Sequence, residues 1–276
     1  MVTIPNDAFL MIIGAMKCGT TSLYDYLVQH PQICSCLIKE PEFFTEGWNP
    51  LPKPERYEDL WEFDPAQHRY ALEASVGYSK YPQQKNVAEK ILAYGIQPKL
   101  IYIVRNPFDR VESQSNHEIR ASPGYDEEYS LADFPYTEIS KYYLQLSRFS
   151  PIFPRKDLLV LDFDLLASDP VACLKKVYSF LALPEHIPSS LGVSNKKRVI
   201  SPIERVLGRY RFIRSFSKVL PRSLKFSVSR LLARVGGKVP SRTLSEAERG
   251  LIYERLKKDM HALRDEYGVD VGKWGF

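Results

Sequence analysis

The sequence predicts an α/β protein in which a central parallel sheet is flanked by helices. The apolar runs at residues 9–14 and 100–104 are typical of strands that are buried on both faces of a parallel sheet. Each run is followed by a turn and then by apolar residues at helical spacing. This alternation of strands and helices favours parallel pairing with right-handed crossovers.

The other expected elements follow from local signals along the chain. Asn106 is a good N-cap, and Pro107 suits the first position of a helix that runs through Arg120. Ser245 and Glu248 form a capping-box pattern that opens the last helix. The remaining expected strands are residues 70–73 and 158–163, and the remaining expected helices are residues 22–30, 83–94, 137–148 and 171–181.

Composition indicates a soluble globular protein that forms one domain over residues 1–276. The chain is 44% hydrophobic and 26% charged, and no apolar run approaches the roughly 20 residues that cross a bilayer. Its four cysteines are irregularly spaced and follow no export signal, which favours reduced thiols and a cytoplasmic location. The cysteine spacing and the few histidines predict no metal site.

Positive charge is concentrated in one basic segment, residues 196–242. It contains 14 Lys and Arg and a single acid, Glu204, whereas the whole chain has a net charge of only +5. We expect short helices and loops there, because three prolines interrupt it. The segment could be a solvated face, a lid over an anionic acceptor, or a docking surface for an acidic partner or a membrane. Nucleic acid is not an expected partner.

The turn after the first strand is built to hold a phosphate. Gly14 and Gly19 match the first part of the Walker A pattern, but Lys17 precedes Gly19 and Thr20 follows it directly. Glycines let backbone N–H groups point at an anion, and the following helix presents its positive end. The spacing resembles that of a P-loop, so we expect a P-loop-like central sheet. The alternative is that a short glycine-containing turn after a strand binds nothing.

A second anion site is expected after the strand at residues 100–104. Arg105 stands at its carboxyl end, where open α/β sheets bind their ligands, and a guanidinium can hold a phosphate through two hydrogen bonds. Ser113, two turns into the next helix, could add a hydroxyl group. The alternative is a structural Arg105 paired with Asp109.

Together these two sites resemble the paired nucleotide-binding motifs of sulfotransferases. The matching stretches are Ile12-Ile-Gly-Ala-Met-Lys-Cys-Gly-Thr-Thr-Ser-Leu23 and Val104-Arg-Asn-Pro-Phe-Asp-Arg-Val-Glu-Ser113. Lys39–Phe44 and Glu73–Tyr78 also resemble family segments. The resemblance covers nearly the whole chain and is strongest to the branch of heparan-sulfate N- and O-sulfotransferases and their soluble bacterial relatives. It implies the sulfotransferase fold and the donor 3′-phosphoadenosine 5′-phosphosulfate (PAPS).

The resemblance also implies which residues bind this donor. The first motif would hold the 5′-phosphosulfate, and Arg105 and Ser113 would hold the 3′-phosphate. The family's later nucleotide-binding loop corresponds to residues 195–202, so Lys197 and Arg198 are assigned to the 3′-phosphate. The residues implied by the first motif are Lys17, Cys18, Gly19, Thr20, Thr21 and Ser22.

Three residues are implied to carry the chemistry. Glu40 stands at the position of the family's catalytic glutamate and would take the acceptor proton. Lys17 would stabilise the leaving oxygen, and His117 would orient the acceptor or share in proton transfer. No metal is required, because the transferred group carries one negative charge. The alternatives are a solvated Glu40 and a helix-face His117, while Glu73 could bind the acceptor or anchor Lys39.

The expected reaction moves a sulfonate group from PAPS to a hydroxyl or amine of a carbohydrate, lipid or other small molecule. Ala74 stands where carbohydrate enzymes of this family often have a lysine, so an anionic sugar is less strongly implied. One alternative is a P-loop small-molecule kinase, which would need its lysine elsewhere and an acidic Mg²⁺ partner. Another is a non-catalytic nucleotide-binding module that docks on a membrane or polyanion.

Overall fold

A parallel sheet forms the centre of the protein, as the sequence predicts. The computed structural model describes residues 4–47, 53–121, 130–133, 135–191 and 241–276. In these ranges, five strands pair in the order β2-β3-β1-β4-β5, and every pair is parallel. The strands are β1 (Phe9–Gly14), β2 (Ile33–Ser35), β3 (Tyr70–Ala74), β4 (Lys99–Val104) and β5 (Leu158–Asp162).

The central strand β1 is buried along its whole length. Its register places Leu10 opposite Leu72 of β3 and Met11 opposite Leu100 of β4. Because these strands are parallel, their carboxyl ends meet at the same edge of the sheet. The phosphate loop, Ala74 and Arg105 lie at the carboxyl ends of these three adjacent strands, so the topology collects the candidate site residues there.

Helices cover the sheet, and most lie where the sequence predicts them. Their bounds within the described ranges are α1 (Thr20–Leu27), α2 (Val87–Tyr94), α3 (Pro107–Ala121), α4 (Tyr136–Ser140), α5 (Tyr142–Leu146), α6 (Phe163–Ser168), α7 (Pro170–Leu181) and α8 (Glu246–Tyr267).

Local capping signals were good predictors of where helices begin. The Asn106 side-chain oxygen accepts a hydrogen bond from the Phe108 N–H (3.0 Å) at the start of α3. At the start of α8, both hydrogen bonds of the capping box between Ser245 and Glu248 are present. These predictions are confirmed because the caps depend on neighbouring residues alone.

The helix expected over residues 83–94 begins later, at Val87. Asn86 has a φ of +57°, which an α-helix does not accommodate. The Gln84 side chain binds another part of the chain, since it donates a hydrogen bond to the Glu46 carbonyl (3.0 Å) and accepts one from the Glu46 N–H (2.9 Å). The first four residues of the expected helix therefore form an irregular turn.

The helix expected over residues 137–148 is two short helices, α4 and α5. The break lies at Lys141, whose ψ is 77°. Asp259 of α8 accepts hydrogen bonds from the N–H groups of Tyr143 (3.0 Å) and Leu144 (2.8 Å). A distant carboxylate thus caps the first turn of α5 and stabilises a second helix start.

The elements that the sequence prediction lacks include the three-residue strand β2 and the six-residue helix α6. The strand expected over residues 158–163 ends at Asp162, because the Asp162 carboxylate accepts from the Asp164 N–H (2.8 Å) and caps α6. This short helix matters for the site, since it places Phe163 and Leu166 against the phosphate loop.

The last part of the chain packs on the same core. Leu256 and Met260 of α8 are fully buried, and Trp274 near the C-terminus is 5% exposed. Within the part of the chain that the structure describes, no helix is long and apolar enough to cross a bilayer. Nearly all of the basic segment, residues 196–242, lies outside the described residues, so the short helices and loops expected there stay a prediction.

Candidate active site

The phosphate loop turns sharply between β1 and α1. The Ala15 N–H donates to the Ile103 carbonyl (3.0 Å), which fixes the loop to β4. Lys17 and Gly19 both have left-handed backbones, with φ of +69° and +85°. A Cβ at Gly19 would lie 3.0 Å from a ring carbon of Phe163. Glycine is therefore required at position 19 both by the turn and by the close approach of α6.

Cys18 lies inside this turn, with its thiol buried. Burial raises the pKa of the thiol to about 11, so the sulfur stays protonated and is a poor nucleophile. The Cys18 N–H donates to the Ala15 carbonyl (3.1 Å). The Cys18 backbone donor is thus engaged within the turn, and a role of Cys18 in binding the donor stays a prediction.

The start of α1 presents backbone N–H groups of the kind that the loop pattern predicts for an anion site. The first intrahelical hydrogen bond runs from the Leu23 N–H to the Gly19 carbonyl (3.1 Å). The N–H groups of Thr20, Thr21 and Ser22 therefore have no acceptor within the helix. Their donors and the positive end of the helix dipole favour an anion at this position.

Arg105 connects the second predicted anion site to the phosphate loop. Its Nη1 donates to the Lys17 carbonyl (3.2 Å), and its guanidinium lies 4.6 Å from the centre of the Phe163 ring. Its Nε is buried and has no hydrogen-bond partner among the described residues. The alternative pairing with Asp109 is weak, because the shortest charged contact is 3.9 Å and Asp109 is half exposed. Arg105 is thus held at the loop, and its Nε–H group is not used by a described residue.

Ser113 and His117 lie one turn apart on α3, the helix that follows Arg105 directly. Ser113 is half-buried, whereas the His117 side chain is exposed. Ser113 therefore lies on the helix that begins at the carboxyl end of β4. An exposed His117 is compatible with a role toward the acceptor and equally with an ordinary residue on the helix face.

A small cleft joins the start of α1 to the segment that carries Glu40. Its walls come from three parts of the chain that are distant in sequence. They are Thr20, Thr21 and Tyr24 of α1, the segment Ile38–Glu40, and Ala74 at the end of β3. The cleft therefore places the predicted base beside the predicted phosphate-binding helix, which the sequence could only suggest by resemblance.

Glu40 lines this cleft with a half-buried side chain. Its backbone is left-handed, with a φ of +50°. Lys39 beside it is exposed. A carboxylate in this position is close to solvent and to the cleft, as a proton acceptor for a bound hydroxyl or amine must be.

Glu42 is a feature of the site that sequence reasoning missed. It is 1% exposed, and its Oε1 accepts a hydrogen bond from the Gly77 N–H (2.8 Å). Burial raises the pKa of this carboxyl to about 7. Lys80, also 1% exposed, has a pKa lowered to about 8 by burial, and Glu42 opposes that shift. The signal available in the sequence was an acid placed between Pro41 and Phe43 in an apolar stretch.

Glu73 is not available for either role suggested by the sequence. It is fully buried, and its carboxylate accepts hydrogen bonds from Ser75 Oγ (2.6 Å), from the Tyr78 hydroxyl (2.8 Å) and from the Tyr57 hydroxyl. These donors offset the burial that raises the pKa of Glu73. The expectation that Glu73 binds the acceptor or anchors Lys39 is therefore wrong; it organises the buried turn behind the cleft.

Two expected donor-binding residues, Lys197 and Arg198, lie outside the described residues. Across the described ranges, no group of three or more His, Cys, Asp or Glu side chains is arranged to hold a metal ion.

Comparison with protein families gives one assignment. The sequence model of the family described as "Sulfotransferase domain" matches residues 7–197. The matched range is more than half of the chain and contains β1–β5, the phosphate loop and the cleft.

Individual relatives carry carbohydrate sulfotransferase names. Human heparan sulfate glucosamine 3-O-sulfotransferase 5 is 29% identical over 191 residues, which are 64% of this chain and 54% of that protein. Mouse bifunctional heparan sulfate N-deacetylase/N-sulfotransferase 4 is 24% identical over 210 residues, which are 64% of this chain and 22% of that protein. The chain thus spans about half of the first relative and less than a quarter of the second.

Solved structures agree on the fold. A sulfotransferase from Alicyclobacillus acidocaldarius superposes with a TM-score of 0.63 at 21% identity, covering 99% of this chain and 100% of that one. Mouse sulfotransferase SULT7A1, complexed with PAP, gives a TM-score of 0.51 at 18% identity, covering 97% of this chain and 86% of that one. At these identities the likeness establishes the shared architecture of sheet and helices.

Proposed function

We propose that this chain, which belongs to the sulfotransferase family, transfers a sulfonate group from PAPS to a hydroxyl or amine of an acceptor. The observation that carries the proposal is the cleft between α1 and the Glu40 segment. It joins a helix start suited to phosphate with a carboxylate suited to proton transfer. The residues that form this cleft come from segments that are distant in the sequence.

The proposed donor site extends from the phosphate loop to α3. The loop and the N–H groups of Thr20–Ser22 would hold the 5′-phosphosulfate. Arg105 and Ser113 would hold the 3′-phosphate, a role supported by the buried Arg105 Nε that has no hydrogen-bond partner among the described residues. Lys197 and Arg198 are proposed for the same phosphate on sequence resemblance alone.

The proposed chemistry is an in-line displacement at sulfur. The acceptor oxygen or nitrogen forms a bond to sulfur while the bond from sulfur to the bridging phosphate oxygen breaks. The acceptor proton goes to Glu40, and adenosine 3′,5′-bisphosphate (PAP) leaves with the bridging electron pair. Lys17 would stabilise the charge that develops on the bridging oxygen. His117 is proposed to orient the acceptor or to share in proton transfer.

The acceptor is proposed by chemical class only. The relatives' names support a carbohydrate, while Tyr24, Ile38 and Ala74 give part of the cleft an apolar wall that also suits a lipid or another small molecule. We further propose that the chain acts as a single catalytic domain. Docking of an acidic partner or a membrane on the basic segment stays a prediction, as does the cytoplasmic location.

Donor selection tests this function directly. The purified protein is titrated with PAP and with ATP by calorimetry, and then incubated with either labelled PAPS or γ-labelled ATP and a broad panel of alcohols, amines and sugars. We expect tight binding of PAP and label transfer from PAPS only. Transfer from ATP with Mg²⁺ would indicate a kinase. Binding of PAP without transfer to any acceptor would indicate a non-catalytic nucleotide-binding module.

A further inference from the structure

The segment that carries Glu40 is held at both ends by contacts outside the cleft. Upstream, the Leu37 N–H donates to the Leu60 carbonyl (2.9 Å). Downstream, the Phe44 ring packs 4.9 Å from the Tyr57 ring, within a cluster of aromatic side chains. Glu40 lies between these anchors, so its position depends on what holds the intervening residues.

Glu42 supplies the contacts that hold this middle part. Its N–H donates to Ser75 Oγ (3.0 Å), and its carboxylate accepts from the Gly77 N–H (2.8 Å). Its carbonyl accepts from both the N–H (3.1 Å) and the hydroxyl (2.8 Å) of Thr45. One buried residue therefore fastens the segment through its N–H, its carbonyl and its side chain.

The backbone of this segment requires such fastening. Glu40 and Glu42 both have left-handed φ angles, +50° and +52°, which residues other than glycine seldom adopt. Such a conformation persists only where surrounding contacts determine it. The contacts of Glu42 with Ser75 and Gly77 are of this kind.

The partner turn is shaped to receive the Glu42 carboxylate. A Cβ at Gly77 would lie 2.1 Å from Glu42 Oε2 and 2.8 Å from its Cδ. The absence of a side chain at position 77 therefore creates the space that the carboxylate occupies. The turn follows Ala74, which lines the cleft, so the contact fixes the Glu40 segment relative to the part of the cleft that Ala74 forms.

We propose that Glu42 is a positioning residue that fastens the Glu40 segment to the turn at Ser75–Gly77 and so holds Glu40 at the cleft. The inference rests on the proposed function, since Glu40 is the proposed base. Glu42 itself is too deeply buried to touch an acceptor. The effect of losing it should therefore fall on catalysis and not on donor binding.

Three variants and one control test this role. Glu42→Ala removes the fastening carboxylate, and Gly77→Ala displaces it from the other side. Glu42→Gln keeps the shape and the acceptor oxygen. Glu46→Ala is the matched control, because Glu46 lies on the same segment but its side chain is 83% exposed and pairs with Lys90 on the surface. Thermal unfolding of each variant reports whether the fold is intact.

Two readouts are compared, one of which needs no activity. Hydrogen exchange of the peptide at residues 38–46 should speed up about tenfold in Glu42→Ala and Gly77→Ala, as expected for the loss of one buried hydrogen bond. With labelled PAPS and the acceptor that the wild type modifies, kcat should fall about 10²-fold, because a displacement of roughly 1 Å at a catalytic group has this effect. The PAP dissociation constant should not change, and Glu42→Gln should retain both properties.

The proposal is overturned if exchange at residues 38–46 and kcat stay at the wild-type level in Gly77→Ala and in a folded Glu42→Ala. It is also overturned if both variants lose PAP binding together with activity, since Glu42 would then support the fold in general. If Glu42→Ala does not fold, Gly77→Ala decides the question. If the wild type transfers no sulfonate, the proposed function fails, and the exchange comparison decides by itself whether Glu42 fastens the segment.

Discussion

The Arg105 guanidinium donates a hydrogen bond to the Lys17 carbonyl (3.2 Å), which connects the two anion sites that the sequence predicts separately. Lys17 has a left-handed backbone, and Arg105 leaves the carboxyl end of β4. The contact therefore links the shape of the phosphate loop to the residue proposed for the far phosphate. Binding of a nucleotide phosphate at one site should therefore affect binding at the other site.

Arg105→Ala is predicted to remove recognition of the 3′-phosphate. We expect its affinity for PAP to fall about 10- to 100-fold, because a charge-assisted hydrogen-bond pair is lost. Affinity for adenosine 5′-phosphate, which lacks the 3′-phosphate, should change much less. Calorimetric titration of both nucleotides measures the difference, with Arg264→Ala as the control because Arg264 is half exposed and pairs with its neighbour Asp265 on the surface. An equal loss for both nucleotides would assign Arg105 to loop structure and not to the 3′-phosphate.

Lys17→Met is predicted to abolish most turnover while PAP still binds. The substitution keeps most of the length of the side chain and the carbonyl that Arg105 contacts, but removes the charge proposed to stabilise the leaving oxygen. Loss of one preorganised group of this kind lowers kcat about 10²- to 10³-fold, or about 3 kcal/mol. Single-turnover assays with labelled PAPS measure it, with Lys90→Met as the surface control. A normal rate in Lys17→Met would remove Lys17 from the chemistry.

Glu40→Gln is predicted to lower kcat about 10²- to 10⁴-fold, the range expected when a general base is lost. The Michaelis constant for PAPS should stay unchanged, since Glu40 is proposed to act on the acceptor and not on the donor. Glu89→Gln, an exposed change on α2, is the matched control. If kcat is unaffected and only the acceptor binds more weakly, Glu40 orients the acceptor and another group takes the proton.

Glu42 gives a pH-dependent prediction for stability. Burial raises the pKa of its carboxyl to about 7, with Glu73 and Glu40 adding to the shift and Lys80 opposing it. Glu42 in turn raises the pKa of the nearby cation Lys53, which burial lowers. A carboxyl whose pKa is raised by folding contributes stability that is fully present below its unfolded pKa and is lost as pH rises through its folded pKa.

Glu42→Gln should therefore become more stable relative to the wild type as pH rises from about 4 to 8, by at most about 3 kcal/mol. Urea unfolding of both proteins across this range measures the difference. A difference that is independent of pH, or that changes in the opposite direction, would show that the buried carboxyl does not titrate as the structure indicates.

The parts of the fold that could be predicted depend on short-range signals. Asn106 and the pair Ser245 and Glu248 cap helices through neighbouring residues, and the buried strands are recognisable as apolar runs. The split at Lys141 could not be predicted, because the carboxylate that caps α5 belongs to Asp259, 116 residues after Tyr143.

The site shows the same division between local and distant information. The phosphate loop, Arg105 and Glu40 are recognisable from motifs, whereas the burial of Glu42 depends on Gly77, which lies 35 residues later. Glu73 at a strand end resembles a ligand-binding residue in the sequence. Only the fold shows the hydroxyl groups of Tyr57 and Tyr78 directed at its carboxylate.

The most direct test of the proposed sulfonate transfer is a search for its product. The wild type and Glu40→Gln are incubated with sulfonate-labelled PAPS and an extract of the source organism, and the products are identified by mass spectrometry. We predict a compound that gains one sulfonate group as an equal amount of PAP is released, and that is nearly absent with Glu40→Gln. Tight PAP binding with no sulfonated product in any fraction, or equal product from both proteins, would contradict the proposed reaction or the proposed base, respectively.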